Sequence, residues 1–381
     1  MPDRRTVRTW AEIDLDALAH NYRLLRGLAP EAKFLGLVKA NAYGHGAVPV
    51  AKKLESLGAD MLAVACLDEA IELRQAGIAL PILCLGQTPP ELAGELLEYD
   101  VTQTVGDLVT GEALSAAAVA AGKTLKIHVK VDTGMGRLGF VWGEDGEAAL
   151  EGAAMDIDAL CALPGLEAEG IFTHFADADG SEAYTRTQMN RFEGVYGKLR
   201  DQGVDFKIYH CAASAAVLNY PWMSVDMIRP GIALYGYCPA PGMDNPGLKP
   251  VMTVKSRIAV VRTLPAGSFI SYGRTATLRQ ISRLAVVPIG YGDGYPRALS
   301  NEMDMLIRGI PCPIVGRICM DMCMVDVTGL EDVQPGEVAT VYGPKLTQRA
   351  AKLAGTIPYE LLCQITPRIP RIYLEGGTEI L

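Results

Sequence analysis

From residue 34 to about residue 240 the chain repeats one pattern: a short apolar, β-branched-rich run, then an amphipathic or alanine-rich stretch of helical length. Runs too short for buried helices, each followed by a crossover, are the mark of parallel βα units. Eight such runs can be read: FLGLVK, MLAVAC, PILCLG, VTQTV, LKIHVKV, EGIFTH, FKIYHC and MIRPGIALYG. Eight is the number that closes a (β/α)8 barrel. The intervening stretches 47–57 and 181–202 are long enough to carry the chain back between parallel strands. A doubly wound sheet fits less well, because no G-x-G-x-x-G follows the first run.

After the Pro/Gly-rich PGMDNPGLKP the pattern changes. VMTVKSRIAVVRTL, RLAVVPIG, DMLIRGIPCPIVG, MCMVDVT and EVATVYG are strand-like segments at close spacing with turn residues between them. The sequence therefore predicts an α/β protein of two domains: an N-terminal (β/α)8 TIM-type barrel over 1–240, whose first few residues are free to join the second domain, and a mainly β domain over 241–381.

The chain has 381 residues, 49% of them hydrophobic and 21% charged, so material for a buried core is ample. A net charge of -9 with no Lys/Arg cluster argues against a nucleic-acid partner. MPDRRTVRTWAEID has no apolar leader core, and no apolar run is long enough to span a bilayer, which places the protein in the cytoplasm. The nine cysteines form no C-x-x-C pair and read as reduced thiols in apolar segments rather than as disulfides or metal ligands. His20, His45, His128, His174 and His210 lack metal-ligand spacing, so any that acts in chemistry is expected to act individually.

Several reactive or turn-forming residues fall just after the strand-like runs: Lys39, Asp132, His174, Ser214 and Arg229. In a barrel these positions lie at the C-terminal rim, where active sites are built. VKANAYGHG, with Lys39 and Tyr43, resembles the cofactor-lysine motif of bacterial alanine racemases, which are pyridoxal-phosphate enzymes of the barrel type. The likeness recurs in order through KVDTGMGRLGF, THFADAD, IRPGIALYG, ISYGRTAT, PIGYGDGYPR and VGRICMDMCMVDVT.

That resemblance implies pyridoxal 5'-phosphate as cofactor, with its aldehyde held by Lys39 as a Schiff base. Racemisation removes a proton from one face of the α-carbon and returns one to the other, so it needs two groups. By the resemblance these are Lys39 and Tyr272, the latter reaching the barrel of a partner subunit in a homodimer. His174 matches a residue beside that tyrosine. Such a neighbour is needed, since a phenol of ordinary pKa near 10 is a weak base at neutral pH.

Arg229 matches the residue facing the pyridine nitrogen. Having only donors, an arginine there requires an unprotonated ring, a weaker electron sink that disfavours transamination. Ser214, with amides near Gly231 and Ile232, matches the phosphate cup, joined by Tyr43 and Tyr359. Arg137 and the amide of Met320 match the groups that bind the substrate carboxylate. Lys130 matches a lysine that is carbamylated in many members, though an unmodified lysine paired with Asp or Glu is equally open. Tyr291, Asp179, Arg297 and Arg317 match the entry gate.

The sequence departs from the family pattern at Ala213, where asparagine is usual, at Met322, where glutamine is common, and at Ala276, where an aromatic is frequent. These changes bear on substrate range more than on reaction type. The resemblance implies interconversion of L- and D-alanine, supplying D-alanine for peptidoglycan. A broader serine racemase is the nearest alternative, and Tyr359 weighs against it. A decarboxylase of the same architecture is disfavoured by Tyr272, where those enzymes place a cysteine, and a mere cofactor carrier by the β domain.

Overall fold

The computed structural model describes residues 7–142, 147–240 and 242–380. The chain divides into two compact units. One comprises Ala19–Ala42 and Ala47–Leu248; the other comprises Met1–Leu18, described from Val7, together with Tyr43–Gly46 and Lys249–Leu381.

Strand β1 (Thr9–Asp14) opens the described chain, and the strands of the first unit follow: β2 (Lys33–Leu37), β3 (Met61–Val64), β4 (Ile82–Cys84), β5 (Val101–Val105), β6 (Leu125–Asp132), the short β7 (Phe140–Val141) beside β6, β8 (Leu166–Phe172), β9 (Ile208–His210) and β10 (Met227–Ile228). All pair in parallel, in the order β10-β2-β3-β4-β5-β6-β8-β9 with β7 off β6. The ends of this row meet through Asp226 N–H to the Tyr209 carbonyl at 3.2 Å, Arg229 N–H to the Ala212 carbonyl at 2.9 Å, and a parallel bridge between Ala213 and Arg229. The eight-stranded barrel read from the sequence is thus present.

Its strands are apolar throughout because both faces are covered, the inner one by side chains across the barrel and the outer one by helices. Every residue of β3, β4, β5 and β9 is buried. The buried Gln103 on β5 is well bonded: it donates to the Gly86 and Thr104 carbonyls, both at 2.7 Å, and accepts from Thr88 Oγ1 at 2.6 Å. The eighth run is the one place where the strand ends sooner than its sequence suggests. Within MIRPGIALYG only Met227–Ile228 is strand, and Ile232–Tyr235 is a 3-10 turn. Pro230 has no N–H for a ladder, so the chain leaves the sheet there.

The second unit contains β1 and β11 (Met252–Arg257), β12 (Val260–Leu264), β13 (Phe269–Ile270), β14 (Ala276–Thr277), β15 (Ser282–Val287), β16 (Asp304–Ile307), β17 (Ile310–Pro313), β18 (Cys323–Asp326), β19 (Val338–Tyr342), β20 (Arg371–Glu375) and β21 (Thr378–Ile380). Seven strands form one sheet in the order β17-β16-β19-β11-β1-β20-β21, and β12-β15-β18 form a second. Burial alternates along β11, β16 and β18, as expected of antiparallel strands with one covered face. β1 runs antiparallel to β11 and parallel to β20. Two helices, Pro344–Ala354 and Pro358–Cys363, each begin on a proline that has no N–H to leave unpaired.

The short segment Tyr43–Gly46 explains the glycines of AYGHG. Gly44 has φ +80°, and a Cβ there would overlap the Leu362 carbonyl oxygen; Gly46 has φ +100°, and a Cβ would overlap the Tyr373 hydroxyl. Arg371 Nε donates to the Gly44 carbonyl at 2.9 Å, and Tyr373 donates to the His45 carbonyl at 3.2 Å. Among the described residues no helix is long and apolar enough to cross a membrane.

Candidate active site

Five strand ends of the barrel carry the candidate residues. Lys39 follows β2 and heads the segment Lys39–Tyr43, which is helical in hydrogen bonding but left-handed: Ala40, Asn41, Ala42 and Tyr43 have φ from 51° to 53°. Left-handed residues with a Cβ cost about 1–2 kcal/mol each and normally occur singly. Four in succession persist only where the surroundings fix them. Here Ala42 N–H donates to the Val38 carbonyl at 2.8 Å, Asn41 Oδ1 accepts from Ala47 N–H at 2.7 Å, and Glu69 Oε1 accepts from Ala40 N–H at 2.5 Å.

Arg229, after β10, is buried. Its Nη2 donates to the carbonyls of Thr173 at 2.9 Å and Cys211 at 3.0 Å and lies 3.3 Å from His174 Nδ1, while Nη1 lies 3.0 Å from His210 Nδ1. A guanidinium has no acceptor, so both histidines must present lone pairs at Nδ1 and carry their hydrogen on Nε2. His210 Nε2 then donates to His128 Nδ1 at 2.8 Å, and His128 Nε2 faces Glu169 Oε2 at 3.8 Å. Burial, reinforced by the Arg229 charge, holds His174 and His210 well below the ordinary histidine value, so both are neutral near pH 7. The histidines are not isolated from one another: His174 and His210 both face Arg229, and His128 joins them through His210. They are far apart in the chain and neighbours only because β6, β8, β9 and β10 are adjacent.

Room for the His128 ring is made locally. The β6–β8 register shifts between Ile127 and His128, so that Ala168 and Gly170 face successive β6 residues and Glu169 is the extra one. A Cβ on Gly170 would lie 2.7 Å from the His128 ring.

Asp132 ends β6 and takes four backbone amides. Its Oδ1 accepts from Gly134 at 2.9 Å, Met135 at 2.8 Å and Gly136 at 3.1 Å, and its Oδ2 from Arg137 at 2.8 Å. Burial would raise this carboxyl, but together the four donors hold it below the usual range. The turn they lock presents Arg137, whose side chain is exposed. Lys130, two residues back on β6, is buried and donates to the Val131 carbonyl at 2.8 Å. Burial, helped by Arg229, lowers its amine to about 7.

Ser214 begins the helix Ser214–Asn219, and its Oγ accepts from Gly231 N–H at 2.8 Å and Ala233 N–H at 3.2 Å. Ser214 and Gly231 are thus brought together at the ends of β9 and β10, and the second amide on the hydroxyl is that of Ala233 rather than Ile232. Asp179 is exposed in the loop before the helix Glu182–Asp201. In that helix the buried Gln188 accepts from Ala176 N–H at 2.8 Å and donates to the His174 carbonyl at 3.2 Å, fixing the THF segment. Nothing in the sequence singled out Gln188, since its value lies in where one turn of a long helix meets a strand end.

The second unit assembles its own group. Tyr272 lies in the short turn Tyr272–Arg274 and is 68% exposed. Ser271 Oγ donates to the Arg317 carbonyl at 2.6 Å, and a Cβ on Gly273 would lie 3.1 Å from Arg317 Nη1. Tyr291 N–H donates to the Cys319 carbonyl at 3.1 Å and Gly292 N–H to the Met320 carbonyl at 2.9 Å. The turn carrying Tyr291 is thereby tied to the segment carrying Met320. Arg297 is exposed in the following turn, Arg297–Leu299. The rings of Tyr43 and Tyr359 are 6.3 Å apart. Tyr43 is buried, which, helped by the nearby Cys363, raises its hydroxyl above the ordinary tyrosine value and keeps it a neutral donor.

Residues 13–239 match the family model of the alanine racemase N-terminal domain, and residues 251–373 that of the C-terminal domain. The chain belongs to the alanine racemase family. It is 44% identical over 371 residues to the alanine racemase of Desulforamulus reducens, covering 96% of this chain and 98% of that one. It is 43% identical over 377 residues to alanine racemase 2 of Caldanaerobacter subterraneus subsp. tengcongensis, covering 97% and 95%. Among solved structures, the alanine racemase of Clostridium difficile 630 superposes with a TM-score of 0.93 at 40% identity over 99% of this chain and 98% of that one; its cycloserine complex gives 0.91 at 39% over the same shares.

Two departures from the family pattern can be located. Ala213 is the N-cap of Ser214–Asn219 and offers no side-chain cap, where asparagine would be a good one. Met322 is 44% exposed in a cleft with Tyr272, Phe269 and Cys319. Ala276 pairs with Ile270 on β14, and nothing in the structure explains the small side chain there.

The Lys130 amine makes a pH-dependent contribution. Because its folded value of about 7 lies below that of an unfolded lysine, the unfolded chain binds more protons between the two values. The penalty is fully present below about pH 7 and fades as pH rises towards the ordinary lysine range. Thermal melts of cofactor-free protein in carbonate-free buffer should therefore show Lys130→Met more stable than wild type near pH 7, with the difference shrinking towards pH 10; a difference independent of pH is the contrary outcome.

Proposed function

We propose that the protein is an alanine racemase that binds pyridoxal 5'-phosphate and interconverts L- and D-alanine. The reading is carried by one rim that combines a lysine at a strand end, a serine hydroxyl meeting backbone amides, and a buried arginine with only donors to offer. These fit the aldehyde, the phosphate and the ring nitrogen of that cofactor. Bound there, it would delocalise the electron pair left when the α-proton departs.

Lys39 would hold the aldehyde, and its free amine would be the proton acceptor on one face. Ser214 with the amides of Gly231 and Ile232 binds the phosphate, with Tyr43 and Tyr359 adding hydroxyls. Arg229, lowered by burial to about 10, is still a cation at neutral pH and would donate a hydrogen bond to the ring nitrogen without giving up its proton. Arg137 and the Met320 amide hold the substrate carboxylate.

Tyr272 is the second proton-transfer group and acts in a partner subunit, so the working unit is a homodimer. What supports this is its exposure of 68%, in a cleft with exposed Phe269 and Met322. His174 keeps its Nε2–H as a donor that can stabilise a phenolate. Tyr291, Asp179, Arg297 and Arg317 line the entry. A neutral Lys130 is the form that reacts with carbon dioxide, and Arg137 and Arg229 would balance the resulting anion. The product supplies D-alanine for peptidoglycan in the cytoplasm.

L-Alanine incubated in heavy water with cofactor-loaded protein should lose optical rotation and the α-proton signal together; retention of both while serine reacts would move the substrate assignment to serine. Mixing the inactive variants Lys39→Ala and Tyr272→Phe should restore about a quarter of wild-type activity, because a mixed dimer keeps one intact site. A mixture that stays inactive would place Tyr272 outside the partner's site. With carbon-13 bicarbonate, wild type should show a carbamate signal that is missing from Lys130→Met, and its absence from wild type would leave Lys130 unmodified.

A further inference from the structure

The left-handed turn after Lys39 is held from outside by one carboxylate. Glu69 is the third residue of the helix Leu67–Gln75, whose N-cap Cys66 makes no side-chain cap. A glutamate at this position ordinarily turns back to the N-cap amide of its own helix. Glu69 does something else: Oε2 accepts from Ala65 N–H at 2.8 Å, just before the N-cap, and Oε1 reaches a different strand end to accept from Ala40 N–H at 2.5 Å. One side chain thus ties the end of β3 to the residue that follows Lys39.

The tie falls where the backbone most needs it. Ala40 is the first of the four left-handed residues, and its φ of 51° sets the direction in which the chain leaves Lys39. Two other hydrogen bonds support the turn: Ala42 N–H to the Val38 carbonyl closes it around Lys39, and Ala47 N–H to Asn41 Oδ1 acts further along. Ala40 itself is alanine, with neither the glycine freedom nor the polar side chain that makes this conformation easy. The amide held by Glu69 is thus the one bonded directly to the lysine's own carbonyl carbon.

We propose that Glu69 is a positioning residue: its carboxylate holds the backbone amide of Ala40 and so fixes the left-handed turn that aims Lys39. The role of Lys39 rests on the function proposed above, whereas the tie itself does not. A misaimed amine loses the near-attack geometry on which proton transfer depends, while the groups that bind the substrate carboxylate are untouched. The loss accordingly falls on kcat more than on KM.

The test uses Glu69→Ala and Glu69→Gln in both the cofactor-free and the loaded protein. Hydrogen–deuterium exchange at Ala40 should quicken about tenfold or more in Glu69→Ala, and less in Glu69→Gln, which keeps one acceptor oxygen. The kcat for alanine should fall about tenfold or more in Glu69→Ala with KM changed less, and Glu69→Gln should recover part of it. Borohydride reduction of loaded wild type should leave a pyridoxyl mass on the peptide containing Lys39. If that mass appears elsewhere, the reading of Lys39 falls while the exchange result still decides the tie. Unchanged exchange at Ala40 in both variants overturns the tie. Faster exchange with wild-type kcat overturns the positioning role. Should Glu69→Ala fail to fold, Glu69→Gln carries both measurements.

Discussion

Arg229 brings five donor hydrogens and no acceptor into the interior of a barrel, and its surroundings are arranged to receive them. Two strand-end carbonyls and two imidazole nitrogens accept from it. Its charge forbids protonation of either histidine at the facing nitrogen, so a single residue type dictates the tautomers of His174 and His210, and through His210 that of His128. The same charge also helps depress Lys130. Removing such a cation would leave several buried acceptors unpaired, which is costly in a low-dielectric interior.

Asp132 is the counterpart in anionic form. Four amides converge on its carboxylate, and the turn they define is what carries Arg137. In both cases a charged side chain gathers backbone groups, and Arg229 gathers two imidazoles as well. Strand ends are where unpaired backbone groups are available, and the C-terminal rim of a barrel collects eight such ends. The left-handed residues after Lys39 belong to the same economy: backbone made costly locally is held by groups from neighbouring strand ends.

Much of the architecture was legible in the residues. Continuous apolar runs signalled β3 and β4 because a parallel strand covered on both faces has no polar side to show. Alternation in VMTVKS signalled β11 because an antiparallel sheet has one covered face. The eighth strand was overread: MIRPGIALYG is apolar enough to extend, but Pro230 ends the ladder after two residues. At the site, the order of motifs pointed to Lys39, Arg229, Ser214 and Arg137, whereas Gln188, Glu69 and the His128–His210 contact carried no sequence signal. Each of those three is an ordinary residue in an ordinary helix or strand, given its role by what folds against it.

The sequence by itself therefore determined the eight barrel strands and the change to a mainly β second domain, the places where glycine or proline must break the pattern, and the chemical identity of the groups at the strand ends. These are local properties, fixed by periodicity, by the missing Cβ of Gly44 and Gly46 and by the missing N–H of Pro230. Only the tertiary structure decided which ends meet, which histidine nitrogen bears hydrogen, that Lys130 sits near pH 7 and that Glu69 turns away from its own helix to hold Ala40. Those depend on distances of about 3 Å between residues tens to more than a hundred positions apart, and a hydrogen bond or a buried charge acts over the space between atoms, not along the chain.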